Sequence, residues 1–381
     1  MGQGRKTFYA ASLLLFALGV ESGGFQISLM QMMEEFDLSG TYSGMMVSAQ
    51  YSAIIIMPIL MGRIADRADK RTILLLFGTV FLVGCVGIVS LRKYVLLVCS
   101  IFVIGSGYSV CESVLSAHLT DIYKACAGRY LTLSQCFFSI GALVGPQLVE
   151  FGRIFWGLDW RFLFVASGVC GFFSVLLLRT FRTKKESETI RRIMAKKPGK
   201  EILLLALGMF IYGSLEVGIG YYINSFVTLE LHAPKRAALL LSLFWLLMIP
   251  GRVLGGMFYN CRKNGMFAGY VFAGICLLGV SMTDRLWMAG ILFGLLGVAI
   301  APLWPYFMSI AAEEYADSSA TATGILSTGC GIGAVISPVF LGRCVDIGGL
   351  RMGFRMLAVL AFLGIAAAFF YFRVVDRKRT N

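Results

Sequence analysis

Charged side chains are scarce in this sequence: Asp, Glu, Lys and Arg make up 14% of its 381 residues, against about 25% in an ordinary soluble domain. With 58% hydrophobic residues and a mean hydropathy of +0.79, that deficit excludes a water-soluble globule. Histidine is scarcer still. His118 and His232 lie far apart, so no H-E-x-x-H motif can form. A phosphate-gripping G-x-x-x-x-G-K-[ST] loop is missing, which removes direct drive by ATP, and nothing pairs a nucleophile with a base. The ten cysteines fall mostly in apolar stretches without disulfide or zinc spacing, where a thiol behaves as a small apolar group. These absences leave no enzyme chemistry, no cofactor and no metal to expect. The first apolar run is too long for a cleaved signal peptide and is read as part of the mature fold. Lys6 stands where a myristoylation signal needs Ser or Thr.

What the chain has is apolar length. Runs of about 20 residues recur from end to end, each long enough to cross a hydrocarbon core of roughly 30 Å as a helix. Twelve are counted, the first at Thr7 to Met33 and the last at Leu350 to Phe372. The expected fold class is therefore an all-α membrane protein with twelve transmembrane helices and both termini on one side. Placing the termini in the cytoplasm puts 23 Lys and Arg in cytoplasmic loops and tails and 10 on the opposite side, with Arg252 at a helix end. The formal charge of +13 follows from that bias and from a neighbouring anionic lipid bilayer, such as a bacterial plasma (inner) membrane, rather than from nucleic acid.

The longest hydrophilic stretch, residues 181–200, reads FRTKKESETIRRIMAKKPGK. It divides the spans six and six, giving an N-terminal bundle over 1–180, a basic cytoplasmic linker, and a C-terminal bundle over 201–381. The halves resemble each other. Glu21 in FALGVESGG recurs about 195 positions later as Glu216 in FIYGSLEVGIG. Gly141-Ala142-Leu143-Val144-Gly145-Pro146 recurs as Gly333-Ala334-Val335-Ile336-Ser337-Pro338, and Gly62 to Asp66 is echoed by Gly256 to Asn260. Offsets that agree within a few residues indicate a duplicated six-helix unit, hence two pseudo-symmetric bundles. Parallel repeats of this kind place a solute site near the midplane between the halves and work by alternating access.

Three glutamates, Glu21, Glu112 and Glu216, fall near the middle of spans 1, 4 and 7, with no Lys or Arg expected at comparable depth. Each costs about 2.5 to 3.5 kcal/mol of insertion energy, which structural convenience does not explain. A carboxyl group taken out of water holds its proton more tightly, so such groups suit proton coupling or solute binding. The competing reading is an interhelical hydrogen bond, and for Glu21 and Glu216 a symmetric tie. Gln26, Gln135, Tyr221, Asn224 and Trp304, with Gln50, Tyr51, Tyr222, Trp245 and Tyr306, supply amides and aromatic faces for a solute pocket; interfacial helix surfaces use the same residue types. Pro302 and Pro305 should bend the tenth span. His118 is read as a packed histidine, with a proton relay as the other possibility, and Arg252 as a cation that snorkels or braces a gate.

The loop after the second span reads Gly62-Arg63-Ile64-Ala65-Asp66-Arg67-Ala68-Asp69-Lys70-Arg71. It resembles the signature loop of the major facilitator superfamily, G-x-L-A-D-R-x-G-R-K, with Asp69 in place of Gly; Asp tolerates a left-handed turn. The resemblance implies the major facilitator fold, a monomer, spans 1, 4, 7 and 10 around a central cavity, and a latch at Gly62, Asp66, Arg67, Lys70 and Arg71 that closes the cytoplasmic side. Gly62 allows close helix approach, and Asp66 can sit against a neighbouring helix N-terminus. Within the superfamily, four stretches are similar to fucose-permease-type proton symporters: Glu34 to Ser39, Glu112 after Gly105-Ser106-Gly107, Gln135 with Phe138 to Pro146, and Tyr212 to Glu216. Gln26 stands where those proteins often carry an acid.

The function to expect is secondary active transport of a small-molecule substrate with protons, as symport of a neutral solute such as a sugar or polyol. No cavity Lys or Arg is expected to hold an anionic one. The alternative is a proton-driven antiporter exporting cationic or amphipathic drugs, which carboxylates and aromatic faces would suit equally. Half of the antiporter pattern is missing: no Arg lies between Ile101 and Gly107, and Pro146 is followed by Gln147-Leu148-Val149-Glu150.

Overall fold

The computed structural model describes residues 2–37, 40–180 and 199–380. Every regular element among them is helical, as a bilayer demands of backbone groups that have no water to bond. First come α1 (Gly2–Glu35), α2 (Gly40–Arg67), α3 (Lys70–Ser90), α4 (Tyr94–Tyr123), α5 (Ala127–Trp156) and α6 (Arg161–Arg179). Of the expected linker, residues 181–198 lie outside the described residues. α7 (Ile202–Ser225), α8 (Pro234–Met257) and α9 (Arg262–Met282) follow, and α10 comes in two pieces, Leu286–Ile300 and Leu303–Glu314. The break in α10 falls at Pro302, while Pro305 sits in the first turn of the second piece, where its missing N–H has no helical partner to lose.

A single run, Ser319–Thr380, closes the chain, but Gly348 and Gly349 leave helical geometry, Gly349 with φ of 74°. Glycine takes that conformation without a Cβ clash. The two arms, 319–347 and 350–380, are α11 and α12. Eleven spans among the described residues are long and apolar enough to cross a membrane, and the last covers 59 residues. That is about 90 Å of helix, so the last is two crossings and the total is twelve.

α1 to α6 with Ala312–Gly324 form one compact unit; the chain from α7 to Ala311 and from Ile325 onward forms the second. Apolar surface gives helices in lipid little reason to associate, so close backbone approach at small residues carries that task. In the first unit, a Cβ on Gly19 would stand 2.2 Å from the Phe138 carbonyl oxygen, and one on Gly141 2.3 Å from that of Phe16. α1 and α5 are therefore in backbone contact. In the second unit Gly213 meets the Cys330 carbonyl at 2.4 Å and Gly333 that of Phe210 at 2.1 Å. Likewise α2 and α4 meet at Gly105 against the Gln50 carbonyl, and α8 and α10 at Gly297 against that of Phe244. Each contact maps onto its counterpart by adding 194 to the α1 or α2 residue and 192 to the α4 or α5 residue.

Each unit also carries an ionic clamp that residue spacing did not disclose. Glu35, at the end of α1, accepts from both terminal nitrogens of Arg161 at the start of α6, at 2.7 and 2.9 Å, and from the Trp160 indole at 2.7 Å. The Arg161 guanidinium lies 4.2 Å over the Trp160 ring and also bonds Asp159. In the second unit Arg351, early in α12, donates to Glu230 at 3.0 Å, to the Ser281 carbonyl and to Asp284. Glu230 closes a π-helical turn, Phe226–Glu230, that extends α7 and has no counterpart in α1. A π-turn holds one residue more than an α-turn, so it absorbs a single inserted residue.

Two outcomes follow. Gly19→Leu and Gly213→Leu should each lower the melting temperature of the purified protein, because overpacking costs about 1 to 3 kcal/mol. Gly290→Ala, whose new methyl would have its nearest neighbour, Leu240, 4.0 Å away, should leave it unchanged or raised. The hydrogen bonds from Arg161, aided by Trp160 and the Arg92 charge, hold the Glu35 carboxyl below its ordinary range. The stability this gives is present above the unfolded-state value of about 4.3 and is lost as pH falls through the lower folded value. Melting curves should show Glu35→Gln to be weaker than wild type at neutral pH and the difference to shrink below about pH 4.

Candidate functional site

In the first unit, the Glu21 side chain is 0% exposed. Gln50 Nε2 on α2 donates to its Oε1 at 2.9 Å, and its Oε2 has no hydrogen-bond partner among the described residues. The flanking Gly19 and Gly23 press α1 onto α5 at this depth, a Cβ on Gly23 standing 2.1 Å from the Ala142 carbonyl oxygen. Gln135 is buried on α5 and Glu112 half-buried on α4, its backbone carbonyl accepting from Ser116. The Gln26 side chain lies outside the described residues.

The second unit holds a different constellation. Glu216 is only partly buried, and the Tyr212 hydroxyl, one helical turn earlier, donates to its Oε1 at 2.5 Å. Arg252 on α8 is 2% exposed and near enough for its charge to act on both Glu216 and Tyr212. Arg252 was expected near the end of its span, snorkelling to water or bracing a gate. It is instead buried in α8, which runs on to Met257. Trp304, at the start of the second piece of α10, stands 6.0 Å from the Tyr212 ring. Its indole N–H is buried with no hydrogen-bond partner among the described residues. Asn224 is exposed, and the Tyr221 side chain lies outside the described residues.

The expected symmetric pairing of Glu21 with Glu216 is corrected by the backbone contacts. Gly141 approaches the Val20 nitrogen as Gly333 approaches Ser214, and Gly24 meets Leu163 as Gly218 meets Leu357. Both comparisons keep the offset of 194 on α1 and α7, on either side of the glutamates. Glu21 therefore corresponds to Leu215, which is fully buried, and Glu216 to Ser22, which is exposed. One residue is about 100° of helix rotation, so the two carboxyls face different ways.

The signature loop joins α2, α3 and α11. Asp66 Oδ1 accepts from the Ala320 N–H and Oδ2 from the Thr321 N–H, both at 2.8 Å, and the Thr321 hydroxyl bonds the same carboxylate. These amides are in the first turn of α11, where no helical carbonyl can reach them. Gly62 lets the chains approach, since a Cβ there would be 2.7 Å from the Ala320 oxygen. Lys70 Nζ donates to Asp121, at the end of α4, and to the Ser319 hydroxyl, each at 2.6 Å. Arg71 donates to the last carbonyls of α6, those of Leu178 and Arg179; Arg67 is exposed. Asp69 takes no left-handed conformation: at φ −69° it caps α3, accepting from the Arg71 N–H and the Thr72 hydroxyl. His118 is buried on α4 within range of the Asp121 and Lys70 charges. Asp121 and Ser319 were missed; an acid closing the helix before a basic cluster was the available signal.

Residues 10–260 and 205–381 each match the family model of the Major Facilitator Superfamily. The chain belongs to this superfamily. It is a multi-pass membrane transporter with the major facilitator fold, and its relatives are transporters rather than enzymes. The glucose/galactose transporter of Brucella abortus biovar 1 (strain 9-941) is 22% identical over 382 residues, covering 93% of this chain and 92% of that one. Among solved structures, the E. coli fucose:proton symporter FucP in its outward conformation superposes with a TM-score of 0.80 at 16% identity, covering 96% of this chain and 98% of FucP. The human organic anion transporter MFSD10 superposes with 0.82 at 14% identity, covering 97% and 100%.

Asp66→Ala should leave the first amides of α11 without an acceptor. Hydrogen exchange at Ala320 and Thr321 should rise by about tenfold, the loss of roughly one charge-assisted hydrogen bond. Unchanged exchange would show that Asp66 does not hold this helix end.

Proposed function

We propose that the protein moves a neutral sugar or polyol together with protons, by alternating access, across a bacterial inner membrane. The observation that carries this reading is a pair of interior carboxyl groups, Glu21 and Glu216. Each is hydrogen-bonded to an uncharged side chain, and Glu216 lies beside the aromatic groups of Tyr212 and Trp304, which suit hydroxyl recognition. The printed names of the Brucella relative and of FucP support a sugar as solute. Interior Arg252 weighs against the export of lipophilic cations, which would meet a like charge, and it withdraws the lack of an interior cation as a reason to exclude an anionic solute, so the neutral class rests on those printed names. Positive charge in the loops supports cytoplasmic termini, and the Asp66 and Lys70 contacts with α11 support a latch that closes the cytoplasmic end during the cycle. A monomer suffices for all of these roles.

The test is uptake by reconstituted proteoliposomes. An inwardly directed proton gradient should drive accumulation of radiolabelled D-glucose or D-galactose, and a protonophore should abolish the accumulation while leaving exchange. Uptake indifferent to the gradient would retire proton coupling. Gradient-driven efflux of a cationic dye, with no sugar uptake, would establish the antiport reading in its place.

A further inference from the structure

Four glycines lie inside α7, where each costs helix stability that alanine would not. Close packing accounts for three of them. A Cβ on Gly208 would stand 2.4 Å from the Phe307 ring, one on Gly213 2.4 Å from the Cys330 carbonyl oxygen, and one on Gly218 2.8 Å from Leu341. Gly220 is different: on the elements around it only the Trp245 ring of α8 comes within 4 Å of such a Cβ, at 3.8 Å. Gly220 lies one helical turn from Glu216 and two from Tyr212, so the three share a face of α7. Gly220, Glu216 and Trp245 are all partly exposed. A carboxyl group against lipid is costly, so this face opens on a polar passage. At its other end the Trp304 indole stands 6.0 Å from the Tyr212 ring, with a buried N–H that meets no acceptor among the described residues. The offsets of 194 on α7 and α8 and of 192 on α10 match Glu216, Gly220, Trp245 and Trp304 with Ser22, Gln26, Tyr51 and Glu112 of the first unit. Where the first unit has an amide, a phenol and an acid, the second has an open position and two indoles.

We propose that the space left by Gly220 is a solute subsite of the second unit, in which a hydroxylated ring lies with its C–H face on Trp245 and a hydroxyl on the Glu216 carboxyl. In either protonation state that carboxyl supplies an oxygen acceptor, and the Tyr212 hydroxyl, bonded to its Oε1, holds it in place. The Trp245 ring supplies a broad apolar surface with few rotatable bonds to immobilise. Gly220 is then a specificity-determining position, because a side chain there would stand where the ring lies. The subsite rests on the reading of the protein as a carrier of sugars or polyols.

The experiment measures, on the full chain in detergent, equilibrium binding of radiolabelled D-glucose and D-galactose together with the melting temperature. Gly220→Ala puts a methyl into the subsite without a clash, so it should weaken sugar affinity by about tenfold while the melting temperature stays unchanged or rises. Trp245→Ala should weaken affinity by a similar factor, and Trp245→Phe, which keeps an aromatic face, should recover part of it. Gly290→Ala, at an open glycine beside Leu240, should bind sugar like wild type. Wild-type affinity in Gly220→Ala would overturn the assignment, as would wild-type affinity in Trp245→Ala. A fall in melting temperature alongside the lost affinity of Gly220→Ala would assign the glycine to packing and overturn it too. Wild-type protein that binds neither sugar nor any other polyol would bring down the solute class itself, and this subsite with it.

Discussion

Backbone-to-backbone contact at glycine is the constraint on which the other features depend. Where lipid replaces water, burying apolar side chains does not favour one helix pairing over another, and the register of two helices is set by where their main chains can touch. Gly19, Gly23, Gly141 and Gly145 fix α1 on α5, and Gly213 and Gly333 fix α7 on α11. Once those contacts are made, the direction of every side chain on the helix is determined, because rotation follows residue number. The fate of the glutamates is thus decided by glycines that carry no chemistry.

Charge inside each unit obeys a second rule, that ions travel with compensation. Arg252 shares its surroundings with Glu216 and Tyr212, Lys70 with Asp121 and Ser319, and Arg161 with Glu35 and Asp159. Glu21 departs from this pattern, having an amide where the others have an ion. An interior group that breaks the local rule at a cost is where function is to be sought.

Much of the architecture was legible in the sequence because hydropathy and length translate directly into membrane crossings. The bend at Pro302 and the helix end at Asp66 were legible for the same kind of reason, each resting on local backbone chemistry. The burial of Arg252 was not, since a cation near the end of a span reads as one that snorkels to water. Nor were the clamps of Glu35 with Arg161 and Glu230 with Arg351, whose partners lie more than a hundred residues apart in the chain. The likeness of FALGVESGG to FIYGSLEVGIG is real, but aligning the letters paired Glu21 with Glu216, whereas the main chains pair Glu21 with Leu215. Letter similarity and spatial equivalence part company by a single position.

That position is recovered at the π-turn closing α7. Before it, α7 keeps an offset of 194 from α1; after it the offset is 195, and Glu230 reaches Arg351 much as Glu35 reaches Arg161. The extra residue therefore serves only the end of the helix, since the offset of 194 holds on both sides of Glu216. The unlike carboxyls of the two units come instead from residue type at matched positions, Leu215 against Glu21 and Glu216 against Ser22, each one step of helix rotation from the other.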